Sequence, residues 1–208
     1  KEAEYIAKLM DKSQVSHTLY SGKYGNEESF KCLSGQSHSL VHLATHGFFM
    51  SDQSAKRSSF MSMIQSMGQP GQSQSSTIDP MKRSGLILAG GNNVWTGAEV
   101  INHIEDGVLT AAEISAMDLQ QTDIVVLSAC ETGLGDISGD GVFGLQRAFK
   151  QAGVKTIIMS LWKVDDAATE LMMKTFYDNL LSGKSKRESF AVAQQVVRES
   201  KNYSNPYY

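Results

Sequence analysis

The side chains best suited to covalent chemistry in this sequence are Cys130 and His46. Cys130 ends an apolar run, 123–129, and precedes Glu131-Thr132-Gly133, while His46 ends the run 39–45 and precedes Gly47. Taken singly, neither says much: a cysteine after an apolar strand is most often a small buried hydrophobe, and a lone histidine a satisfied core or surface group. Together they define a chemistry. A thiol becomes an effective nucleophile when a nearby imidazole takes its proton and later hands it to a leaving amine, and glycine lets backbone N–H groups approach an oxyanion. A cysteine after one strand and a His-Gly step after another is the layout of a Cys/His peptidase.

Sharper motifs fail on geometry. His42 and His46 have His-x-x-x-His spacing, but in a strand they lie ~13 Å apart at ~3.3 Å per residue and cannot share one metal, so no metal is expected. Gly183-Lys184-Ser185 has the ending of a phosphate loop, yet Asp178 stands where its first glycine belongs and a helix, not a strand, precedes it. Gly139-Asp140-Gly141-Val142-Phe143-Gly144 satisfies Gly-x-Gly-x-x-Gly and opens a helix, with Asp165 and Asp166 following. Its first glycine, however, lies well past Ala129, whereas a dinucleotide fingerprint needs it at the turn leaving the strand. These glycines are expected to carry a turn past Cys130, and no cofactor is expected.

The elements that must position the pair follow from periodicity and punctuation. A helix is predicted over 2–12, an extended run over 16–20, turn and cap at Gly22, Gly25 and Asn26, and a helix over 27–34. The compact apolar run 39–49 predicts one strand buried on both faces. Residues 51–77 shift to Ser, Gln, Met and Gly and read as a long loop or insertion: a lid, a processing site or a solvated segment, with a short helix around Phe60 to Met67. A strand at 84–89 ends in a turn at 90–93, and Thr110 caps a helix over 111–117 with Glu113 at capping-box spacing. Strand 123–129, turn 133–141, helix 142–152, strand 155–161, helix 166–181 and helix 186–199 complete the chain. Strands alternating with helices imply βαβ crossovers, hence an α/β fold with a three-layer α/β/α sandwich and a mostly parallel central sheet. In such sheets the functional crevice lies at the carboxyl ends of the strands, where His46 and Cys130 fall if their strands are parallel neighbours.

Composition narrows the class. The 208 residues, 41% hydrophobic and 20% charged, describe one globular domain, 1–208, rather than a disordered chain. A net charge of −3 without a basic run argues against a nucleic-acid partner, and no apolar run approaches the ~20 residues that cross a membrane. Two cysteines, Cys32 and Cys130, suit a reducing cytoplasm. The abrupt start in an amphipathic helix and the Asn-Pro-Tyr-Tyr finish suggest a piece of a longer polypeptide.

Five segments in order carry a family resemblance: His42-Leu43-Ala44-Thr45-His46-Gly47-Phe48-Phe49; Ser84-Gly85-Leu86-Ile87-Leu88-Ala89-Gly90; Leu127-Ser128-Ala129-Cys130-Glu131-Thr132-Gly133; 139–149; and Ser160-Leu161-Trp162-Lys163-Val164-Asp165-Asp166. The series resembles that of the CHAT domain, in the caspase, separase and clostripain group of cysteine peptidases. The resemblance implies a caspase-like fold, a His46/Cys130 dyad without a nameable third member, and fusion to tetratricopeptide repeats or another sensing module. It implies that Cys130 attacks a protein substrate's scissile carbonyl while the N–H groups of Gly47 and Cys130 stabilise the oxyanion. A cysteine at its reference pKa of ~8.5 is only a few per cent thiolate at neutral pH, so activity depends on the surroundings. The specificity pocket implied by the family comprises Ser128, Trp162 and Asp165 or Asp166, with Glu131 shaping it, and an acidic floor would favour Arg or Lys before the cut. The same residues have structural readings: Trp162 as core, and Asp165 or Asp166 as cap of the helix that follows. The alternative function is a catalytically silent scaffold for protein–protein interaction, against which the intact His46, Gly47 and Cys130 stand.

Overall fold

The computed structural model describes residues 2–49, 80–91, 105–128, 140–160 and 164–203. The chain is α/β, as the alternation of elements predicts, and its described residues divide into two compact units. The larger unit, from Tyr20 to the end of the last strand, is built around two sheets. In the first, β5 (Ile124–Leu127) lies between β1 (Leu40–Leu43) and β6 (Thr156–Met159), with both pairings parallel. All four β5 residues are buried, which is why it reads as an unbroken apolar run and not as an alternating one.

The parallel sheet is the one expected, and the larger unit adds to it a second sheet. Its strands β2 (His46–Phe49), β3 (Ser84–Ile87) and β4 (Val108–Thr110) are antiparallel throughout, in the order β2-β3-β4. The run 39–49 is therefore two strands in two sheets. The chain leaves β1 at Ala44-Thr45, where the Thr45 hydroxyl donates to the Ile87 carbonyl, and pairs afresh as β2. β1 is only half-buried along its length, whereas Gly47, Phe48 and Phe49 are buried. A change of pairing partner leaves no mark on hydrophobic periodicity, so one apolar run reads as one strand.

Helices cover these sheets through short amphipathic faces. α2 (Glu27–Lys31) starts at Asn26, whose side chain accepts the Ser29 N–H at 2.9 Å. It ends earlier than the expected residue 34, because the N–H groups of Leu33 and Ser34 turn back to Phe30 and Lys31 in tighter three-residue steps. α3 (Ala111–Ser115) carries the predicted capping box, with the Glu113 carboxylate accepting the Thr110 N–H at 2.8 Å. α4 (Asp140–Gln151) buries Leu145, Ala148 and Phe149 against α3 and the antiparallel sheet. The Gly-x-Gly-x-x-Gly segment places Gly144 inside α4, within the expected helix, and Gly141 inside it as well, since the helix starts at Asp140; a Cβ at Gly144 would overlap the Ser84 hydroxyl of β3. Helix and strand touch there, which is a packing reason for the glycine. Leu86, Leu109, Val125, Ile114 and Phe149 join in one core, each contributing roughly 1.5–3 kcal/mol of burial.

The smaller unit contains α1 (Glu2–Lys12), α5 (Asp166–Leu181) and α6 (Lys186–Glu199), with α5 packed on both others. Phe176 meets Tyr177 and Phe190 edge-on at centroid distances of 5.2 and 6.3 Å, and Lys174 lies 4.6 Å from the centre of the Tyr5 ring. The expected extended run 16–20 joins no ladder among the described residues and is solvent-exposed. No helix of the described residues is long and apolar enough to cross a membrane. The 51–77 segment lies outside the described residues.

Candidate active site

β1 and β5 are parallel neighbours in strict register, from Leu40 opposite Ile124 to Leu43 opposite Leu127. Their ends are tied together, since the Ser128 N–H donates to the Leu43 carbonyl at 3.0 Å. Three residues beyond Leu43 comes His46, and three beyond Leu127 comes Cys130. The carboxyl end of this strand pair is the place where a parallel sheet offers a crevice.

His46 is the first residue of β2 and faces solvent, with Ile87 as its register partner. Among the described residues no side chain hydrogen-bonds to its imidazole. Gly47 follows it, buried and opposite Leu86. Ser128 is half-buried at the end of β5. Cys130, Glu131 and Trp162 lie outside the described residues. Asp165 and Asp166 belong to the smaller unit, where both are exposed. Asp165 is the N-cap of α5: its Oδ1 accepts the N–H groups of Ala167 at 2.9 Å and Ala168 at 3.0 Å. Asp166 is the first residue of that helix.

A cluster that sequence reasoning misses lies behind the end of β3. Lys31 Nζ is 2.7 Å from Glu27, 2.9 Å from Glu105 and 2.9 Å from Glu113. These three carboxylates have oxygens within 4.8 Å of one another, a spacing that suits a cation, and the ammonium supplies it. Glu27 is 1% exposed, and its other oxygen accepts the Gly107 N–H at 2.9 Å. Burial pushes the Glu27 carboxyl up to about 7; the Lys31 hydrogen bond opposes the rise, and the charges of Glu113 and Glu105 add to it. Burial also raises Asp106. At Glu113 burial acts upward too, but hydrogen bonds from Thr110 and Lys31 outweigh it and hold that carboxyl below the ordinary range. Burial would lower Lys31, yet its bonds to Glu27, Glu113 and Glu105 prevail and raise it. The only local trace of the cluster is the Glu27/Lys31 spacing of four residues, which is common on any helix.

Comparison with known proteins adds the family. The chain is 31% identical over 172 residues to tetratricopeptide repeat protein 28 of Mus musculus, covering 80% of this chain and 6% of that protein. It is 36% identical over 104 residues to the Homo sapiens protein of the same name, covering 50% of this chain and 4% of that one. The chain thus spans a small fraction of these relatives' length. No solved structure matches significantly. The parallel β1-β5-β6 sheet is compatible with a caspase-like fold, and the CHAT domain description matches residues 1–208. The chain belongs to the CHAT domain family.

Proposed function

We propose that this chain is a cysteine endopeptidase domain with a His46/Cys130 dyad, acting on a protein substrate under the control of a fused or associated tetratricopeptide-repeat module. The observation that carries the reading is the register of β1 with β5, which ends two parallel strands at one level with His46 and Cys130 each three residues beyond. The Cys130 thiolate attacks the scissile carbonyl, and the N–H groups of Gly47 and Cys130 receive the charge that develops on its oxygen. The imidazolium of His46 gives its proton to the departing amine. A water then adds to the acyl-enzyme as His46 takes its proton, and the thiol is released. Ser128, Glu131, Trp162, Asp165 and Asp166 form the substrate pocket, whose acidic members select Arg or Lys before the cut. Residues 1–208 act as one cytoplasmic peptidase domain with 51–77 as an insertion, and its chemistry requires neither metal nor cofactor.

The second reading, a silent scaffold, draws support from relatives that are named as repeat proteins. Intact-mass labelling with peptidyl ketones that differ in the residue before the warhead separates the two. A single adduct that requires a basic residue there and vanishes in Cys130→Ala and His46→Ala is expected. Absence of any adduct, with repeat modules present, would establish the scaffold.

A further inference from the structure

The antiparallel ladder that seats His46 ends at Ile87, and the next peptide groups are held from behind. Leu88 donates its N–H to the Gly107 carbonyl at 2.7 Å, and Ala89 donates to Gly25 at 3.0 Å. Gly107 in turn donates its own N–H to Glu27 Oε2. A single residue therefore links the Glu27 carboxylate on one side to the end of β3 on the other, one residue from the partner of His46. Only glycine fits at 107, because a Cβ there would run into the backbone of Gly90 and Gly91, and its φ of +78° favours glycine.

We propose that Glu27 is a positioning residue for His46, acting through the Gly107 backbone to hold the end of β3 in place. Its catalytic consequence rests on the peptidase reading above; the structural link does not. Glu27 is suited to this role because it is buried and fully engaged: one oxygen faces Lys31, the other faces Gly107. The ionisable groups around it are Lys31 on its own helix, Glu105 and Asp106 on the segment before β4, and Glu113 on α3. Burial, with the charges of Glu113 and Glu105 adding to it against the opposing Lys31 hydrogen bond, makes Glu27 take up a proton close to neutrality. A neutral carboxyl is a weaker acceptor for the Gly107 N–H than a carboxylate, so the link weakens as the pH falls.

The test follows the amides of Gly107 and Leu88 by NMR in the 15N-labelled chain from pH 5 to 9. In the unaltered protein the Gly107 amide should titrate with a midpoint near 7, and the same titration should persist in His46→Ala. Glu105→Gln, which removes a repelling carboxylate, should lower that midpoint. Glu27→Gln should abolish the titration while keeping an acceptor for Gly107. Glu27→Ala should speed exchange of the Leu88 amide about tenfold and shift the His46 ring signal. Absence of a Gly107 titration near neutrality overturns the inference, as does a His46 signal that Glu27→Ala leaves unmoved. Labelling of Cys130 by peptidyl ketone should fall about tenfold in Glu27→Ala and recover in Glu27→Gln. Equal labelling in all three overturns the positioning role, whereas no labelling even in the unaltered protein counts against the peptidase reading and leaves the amide measurements to judge Glu27.

Discussion

Replacing Lys31 with Met leaves the Glu27, Glu105 and Glu113 carboxylates facing one another within 4.8 Å with no cation between them. The cost is unevenly shared. Glu105 and Glu113 are 44% and 37% exposed, so water screens them and each pair is worth at most about 1 kcal/mol. Glu27 is 1% exposed and dominates, since removing one partner of a buried ion pair typically costs about 3–5 kcal/mol. Because Lys31 itself keeps 29% of its surface, we expect roughly 2–4 kcal/mol at pH 8. The sign of the pH dependence follows from Glu27. Its folded-state pKa is raised from 4.5 to about 7, so the folded protein holds a proton that the unfolded chain has released between those values. That contribution is fully present below pH 4.5 and is lost as the pH rises through about 7. A neutral Glu27 has little need of the ammonium, so Lys31→Met should destabilise by only about 1 kcal/mol at pH 5. Urea denaturation followed by circular dichroism at pH 5 and pH 8 measures both values. A loss that is the same at the two pH values, or larger at pH 5, would refute the assignment of the charge burden to Glu27.

Two further substitutions probe packing and capping. Gly144→Ala should cost about 1–3 kcal/mol in chemical denaturation, because the new methyl meets Ser84 where α4 touches β3. Among the described residues the Ser84 hydroxyl has no hydrogen-bond partner, so adding Ser84→Ala should recover much of the loss; an unchanged double variant would place the strain elsewhere. Asp165→Ala removes the acceptor of two N–H groups at the start of α5 and should lower stability by about 1 kcal/mol, while Asp165→Ser keeps most of it. Equal thermal midpoints for Asp165→Ala and the parent would show that the cap contributes nothing.

Features carried by neighbours along the chain are legible in the sequence alone. Helices 166–181 and 186–199 stand at their expected bounds, because Asp165 and the Ser185/Glu188 box satisfy the first N–H groups from within one turn. The Thr110/Glu113 box is legible for the same reason, and so is the apolar run that forms β5. The five ordered motifs name the family and draw attention to His46 and Cys130. Nothing local reveals that β1 and β5 are neighbours, that the run 39–49 serves two sheets, or that β2, β3 and β4 pair antiparallel. Strand pairing is a choice among distant partners, and a side-chain period of two reports burial without saying which strand lies alongside. The Lys31 cluster is a stronger case: Glu105 and Glu113 are 74 and 82 residues away, and only the packing of α3 and the segment before β4 against α2 brings their carboxylates to one ammonium. Residue type and spacing thus determined what chemistry the chain can offer, whereas tertiary structure decided which groups share low-dielectric surroundings, and there burial sets the charge a carboxyl carries.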